Sequence, residues 1–434
     1  MTPPRSPVER LRFRNDTRAR LNAKEWNARD PPGFSTASLE MLSSVQIDQL
    51  KPENHENGFA IAQPSPRLSW RFRSTNVKGW RQTHYEIKIV RQEREELYRV
   101  ESSQSVYVPW PSKPLQSREI AHVQVRATGN DGSVTDWASV SVEVSLLNRN
   151  DWTAKLISGP PPSEPSRPKK PIILRRKFHC HAHEGIVRLY ASAHGIYHIE
   201  INGVAVGDQV LSPGWQSYHR RLHYQTYDVS QLLKPGDNVI GVYVGEGWYA
   251  GRLGRPGTSN IWGSRMAFLG QLEVDGQPLV TTDSSWEYLY GPVVESEIYN
   301  GETFDTNLHD PHWSTVPSIS TSLGPAEELP FPSAELISPD APPVRRVMEM
   351  RPKELIITPE GKKVLDFGQN LVGWLRIEKD IPCKGELLVR HAEVMEHGEL
   401  GTRPLRTAKA QLSIKLGGSS IKGFEPKFTW YGFR

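Results

Sequence analysis

Cysteine is nearly missing from this chain: Cys180 and Cys383 are the only two among 434 residues, and they sit in distant segments. That excludes a disulfide framework, and their spacing is not that of a zinc site. A continuous apolar run is missing too. The opening residues "MTPPRSPVERLRF" lack the core of a secretory signal, and no stretch reaches the length needed to span a bilayer. No membrane partner is expected, and without an export signal the cytoplasm is favoured; the sequon Asn15-Asp16-Thr17 carries little weight there. Charge of one sign is scarce as well. With 53 basic and 49 acidic residues the net charge is +4, too thinly spread to form a phosphate-binding face, so no nucleic-acid partner is expected. The densest basic stretch, Arg12 to Asp30, reads as a solvated part of a disordered tail over residues 1–44.

Turn formers and aromatics are abundant: 35 prolines, 34 glycines and 13 tryptophans among short apolar runs imply many short strands, an all-β class. The length implies several domains. "PRLSWRF" (66–72), "HYEIKIV" (84–90), "SVYVPW" (105–110), "AHVQVRA" (121–127) and "SVSVEVSLL" (139–147) alternate apolar and polar residues, the period of half-buried strands, and point to a fibronectin- or immunoglobulin-like sandwich over 45–150. The proline-rich "SGPPPSEPSRPKKP" (158–171) marks a linker within 151–171. A larger β unit follows over 172–313, with hairpin turns expected at Asn202-Gly203 and Asp275-Gly276, and a turn or two of helix at Asp228 to Asn238. A second proline- and serine-rich linker covers 314–343, and a last β unit covers 344–434. Its closing "KFTWYGF" (427–433) reads as an alternating aromatic strand without a cap or following turn, so this domain is expected to be truncated there.

The segment Leu211 to Gly254, containing "LSPGWQSY" and "GEGWYAGRLG", resembles the N-terminal β-sandwich of the α-L-rhamnosidases, glycoside hydrolase family seventy-eight. "IYNGETFDTNLHDPHW" (298–313) resembles the exit of that domain. "VLDFGQNLVGWLRI" (364–377) and "RHAEVMEHGELGTRPLRTAKA" (390–410) resemble the concanavalin-like domain that follows it. The resemblance covers roughly 45–434 and implies three consecutive β-sandwiches: fibronectin III-like, jelly-roll-like and concanavalin-like. In the family an (α/α)6 barrel then supplies the acid and base for inverting hydrolysis of terminal α-L-rhamnosyl bonds. The acidic loop of that barrel has no counterpart in residues 1 to 434, so no catalytic residue is carried over, and the chain alone is expected to be inactive toward rhamnose-containing glycosides.

Inverting hydrolysis needs a protonated and an ionised carboxyl around one bond, with room for a water. Glu246, Glu302, Asp305 and Asp366 lie on loops of separate segments and are not expected to converge. Glu246 is expected to pair with Arg252 or to accept backbone donors from its glycine-rich loop. Asp366 to Asn370 reads as a tight turn, and Trp374 as a core residue. The alternative function is a free-standing rhamnose-binding sandwich. Trp215, Tyr218, Trp248 and Tyr249 would stack on sugar faces while Glu246 and Arg252 bond hydroxyls. No metal or other cofactor is expected. Asp208, Asp228 and Asp305 lack calcium-loop spacing. His179, His181 and His183 share one strand face that either binds a metal or forms a polar edge, and with no further ligand nearby the edge is preferred.

Overall fold

The computed structural model describes residues 45–74, 77–164, 168–182, 185–254, 257–316, 321–381, 384–418 and 420–434. The expected tail, His183 and Cys383 lie outside them. Within them the chain is all-β: strands, three short 3-10 turns and one four-residue helix, Gly247–Ala250.

The first sandwich pairs Val45–Pro52 with Leu68–Ser74. The sheet opposite runs in the order Arg94–Val100, Gln82–Arg91, Ile120–Gly129, Ala138–Glu143. Alternation along these strands sends Trp70, Ile87, Ile89, Val123, Val125 and Val142 into one core. The buried indole N–H of Trp70 donates to Gln82 Oε1 at 2.9 Å, which removes the cost of enclosing it. Residues 105–110 depart from expectation. Proline and the positive φ of Tyr107 (50°) break the ladder, leaving a single bridge from Val108 to Leu68.

The central sandwich has two six-stranded sheets. One is ordered Val204–Ala205, Ile196–Ile201, Gly236–Gly245, Ile172–Cys180, Glu287–Tyr290, Gly324–Pro325. The other is ordered Gln225–Asp228, Val187–His194, Ala267–Val274, Leu156–Ser158, Glu327–Leu329, with a sixth strand, Gln277–Thr281, paired to part of Ala267–Val274. Leu174, Ile199 and Val242 of the first meet Ala191, Phe268 and Leu272 of the second. Asn202-Gly203 and Asp275-Gly276 are two-residue turns with both φ values positive (53° and 82°; 50° and 74°), the type I′ geometry that matches strand twist. Residues 228–238 form no helix. A single turn closes from Leu232 N to Val229 O, and the Asn238 side chain bonds the backbone of Lys234 and Gly236, as Asn does where it competes with helix.

Both outer faces of this sandwich are covered. Trp152, Tyr190, Tyr224 and Leu269 pack on one side. On the other, Ile173, Tyr243 and Leu289 pack against Leu412, Ile414 and Phe428 of the C-terminal region. That region's sheet is ordered Val293–Glu297, Gly301–Asp305, Gln411–Leu416, Gly385–Arg390, with the middle pair parallel. A Cβ on Gly301 (φ 102°) would lie 1.9 Å from Gln411 O, so the junction needs glycine. Of "KFTWYGF" only Tyr431–Phe433 is strand, paired with Leu371–Gly373.

Candidate functional site

Strand Gly236–Gly245 runs straight into Glu246, which opens the helical turn Gly247–Ala250 with φ −65° and ψ −32°. Its carboxyl is 2% exposed. Its partner is Lys169, not Arg252: Oε2 accepts the Lys169 backbone N–H at 3.0 Å and lies 3.4 Å from Nζ, which also donates to Ala250 O. Burial pushes the Glu246 carboxyl up to about 7, against the pull of Lys169. Arg252 turns the other way. Its guanidinium reaches Thr407 Oγ1 and Asn300 Oδ1 at 3.1 Å each and Glu297 Oε2 at 3.5 Å, joining the glycine-rich loop to the C-terminal region.

The four aromatics do come together. Trp215 is 59% exposed and lies parallel to half-buried Trp248, with 5° between planes and 6.4 Å between centroids. Tyr218 is buried, donates to Gly214 O at 3.2 Å and meets Tyr249 edge-on at 5.1 Å. Tyr249 stacks on His194 at 4.3 Å, and burial pulls that imidazole down to about 4, so the ring is neutral at physiological pH. Trp262 and His219 join this cluster. Sequence reasoning missed them because no periodicity marks a loop that supplies them singly; the indole in "NIWGSR" was the available signal.

The other acids are separated. Glu302 is also 2% exposed; its Oε2 accepts backbone N–H groups of Lys427 (3.0 Å) and Phe428 (3.2 Å), and burial pushes it up to about 7. Asp305 caps Asn307 at the 3-10 turn that follows it, and Asp366 accepts the Gly368 N–H at 2.6 Å and Arg434 Nε at 3.2 Å. Trp374 is half-buried, its indole N–H on Glu425 Oε2 at 2.7 Å. One cavity of about 70 Å³ is lined by two carboxylates, Asp208 and Glu425. Asp208 is bonded to Arg345 and Glu425 to Arg346, and the space holds a few waters rather than a sugar ring. His179 is exposed and 3.3 Å from Asp237, with the His181 ring edge-on to it; Asp228 sits 3.0 Å from Arg188. Among the described residues no three His, Cys, Asp or Glu gather as metal ligands, and no helix is long and apolar enough to cross a membrane.

Three family models match in series: the Rha78A-like N-terminal immunoglobulin domain over 47–148, the alpha-L-rhamnosidase N-terminal domain over 185–348 and the bacterial alpha-L-rhamnosidase concanavalin-like domain over 356–434. The chain belongs to the α-L-rhamnosidase family. Among solved rhamnosidases, the native Aspergillus terreus enzyme is 46% identical with TM-score 0.86, covering 90% of this chain and 46% of its own. The Streptomyces avermitilis rhamnosidase in complex with L-rhamnose, 23% identical, shares the fold with TM-score 0.78 over 90% of this chain and 55% of its own. A curated rhamnosidase of Formosa agariphila is 33% identical over 77% of this chain and 37% of its own length. The chain thus spans less than half the length of the curated rhamnosidases it matches. Matching three rhamnosidase domains in series disfavours a free-standing sugar-binding protein and corresponds to the N-terminal, non-catalytic part of these enzymes.

Proposed function

We propose that residues 45–434 are the supporting β part of an inverting α-L-rhamnosidase, acting on rhamnose-containing glycosides only together with a catalytic domain, and that this polypeptide alone releases no rhamnose. The observation that carries the reading is the enclosure of Glu246 and Glu302. Each holds its proton up to about 7, as a general acid would, yet each is 2% exposed and spends an oxygen on backbone amides. A general acid must come within about 3 Å of the glycosidic oxygen, and no sugar reaches either carboxyl. Their raised affinity for protons comes from burial, which structural carboxyls share with catalytic ones. The role left to these domains is rigid support. The Arg252 contacts and the core around Phe428 tie the central sandwich to the C-terminal region.

The test is incubation of the purified 434-residue chain with an aryl α-L-rhamnoside. The expected result is release no faster than the blank. Release that disappears in Glu246→Gln or Glu302→Gln would overturn the proposal.

A further inference from the structure

Residues 335–346 lead from the expected second linker into the C-terminal region, and every few residues along them bond a different body. Glu335–Ile337 pairs in parallel with Arg221–His223 of the central sandwich. Ser338, 3% exposed, donates its hydroxyl to Ala60 O of the first sandwich at 2.7 Å. Asp340 then accepts from both nitrogens of Asn54, Nδ2 at 2.8 Å and the backbone N–H at 3.3 Å. Back on the central sandwich, Val344 O accepts Val210 N and Arg345 bonds Asp208, and Arg346 Nε reaches Glu425 Oε2 of the C-terminal region at 2.9 Å.

The first sandwich holds the seat for Asp340 in place. Glu53 and Ala60 adopt left-handed backbone, φ 48° and 62°, a conformation that costs energy in residues other than glycine and persists where the surroundings impose it. Glu53, 4% exposed, accepts the Arg67 backbone N–H at 2.7 Å and grips its guanidinium, which lies 4.2 Å from the centre of the Tyr107 ring. The Tyr107 hydroxyl donates to Asn54 Oδ1 at 2.9 Å, so the amide nitrogen is turned toward Asp340, a carboxylate that can only accept. Such a charge-assisted pair of bonds is stronger than a neutral one.

The chain that leaves this anchor is stiff. Pro339 precedes Asp340, and Pro342 and Pro343 separate it from Val344 and the two arginines. Proline fixes φ and makes a semi-rigid spacer, which passes a displacement along where a glycine- or serine-rich segment would absorb it.

We propose that residues 338–346 are a strap through which the first sandwich positions the C-terminal region, with Asp340 as its latch, and that releasing the latch loosens the C-terminal region while the cores stay packed. The Arg252 and Phe428 contacts hold that region to the central sandwich alone; the strap adds the first sandwich to its support, whether or not the chain releases rhamnose.

The test is hydrogen–deuterium exchange of the purified chain, read peptide by peptide. Asp340→Ala should raise exchange about tenfold over 53–60, and about threefold over 208–212, where Val210 N is covered by Val344, and over 421–425, which ends on the partner of Arg346. Asp340→Asn, which keeps one acceptor, should give a smaller rise at the same places. In a chain already carrying Pro342→Gly and Pro343→Gly, adding Asp340→Ala should still raise exchange over 53–60 but no longer over 421–425, because a softened strap passes nothing on. A rise confined to 53–60 and 338–340, a rise over 421–425 that survives softening, or an equal rise in every peptide would overturn the proposal.

Discussion

Strand Gly236–Gly245 of the central sandwich and strand Gly385–Arg390 of the C-terminal region lie in opposite environments. From Asn238 onward every residue of the first is buried, because Val242 points into the sandwich while Tyr243 points into the core shared with Leu412 and Phe428. The second alternates half-buried and exposed residues, leaving Leu388 43% exposed, and in the same region the hairpin of Glu354–Ile357 with Lys363–Asp366 leaves Leu355 and Ile357 56% and 59% exposed. A sheet covered on both faces reads as a continuous apolar run, and one covered on a single face as an alternation. The C-terminal region therefore draws much of its stability from the sandwich it rests on.

Four substitutions sharpen or break that contrast. Phe428→Ala should have the largest effect, about 3–5 kcal/mol by urea denaturation, because the ring is 1% exposed and meets Gly245 and Tyr243 at the junction. An intact cooperative transition with no loss would refute the shared core. Lys169→Met should cost about 3 kcal/mol at pH 8, where Glu246 is ionised and left without its cation, and much less at pH 5, where the carboxyl is protonated; equal losses at both pH values would contradict the pairing.

Glu302→Gln is expected to change the slope of stability with pH. The folded carboxyl holds its proton up to about 7 and the unfolded one to about 4.5, so its contribution is complete below 4.5 and fades as pH rises through 7. A residue that cannot ionise should recover about 1–3 kcal/mol at pH 8 and much less at pH 5, read by denaturation at the two values. Leu355→Ser, on the uncovered face, should change stability by less than about 0.5 kcal/mol, and a larger loss would mean that something covers that face in solution.

Local chemistry made part of this legible in the sequence. Asn202-Gly203 and Asp275-Gly276 announced their turns because Asn, Asp and Gly tolerate positive φ. The hairpin at Gln92-Glu93 has the same geometry, φ 45° and 69°, built from residues that carry no such signal, so strand Arg94–Val100 went unread. The partner of Glu246 was out of reach for a different reason. Arg252 is near in sequence, whereas Lys169 is delivered by a proline-rich stretch whose path only the folded chain defines. The aromatic cluster was partly visible as residue types, but exposed Trp215 and buried Tyr218, three positions apart, are told apart only by the loop's hydrogen bonds.

The parallel pairing of Gly301–Asp305 with Gln411–Leu416 sets an order of events during synthesis. The earlier strand leaves the ribosome with one edge open and waits for the later one, at roughly 5–20 residues per second, before that edge is closed. For those seconds the nascent chain offers a ready template to any other extended segment, so slowing elongation between the two should raise the fraction lost to aggregates.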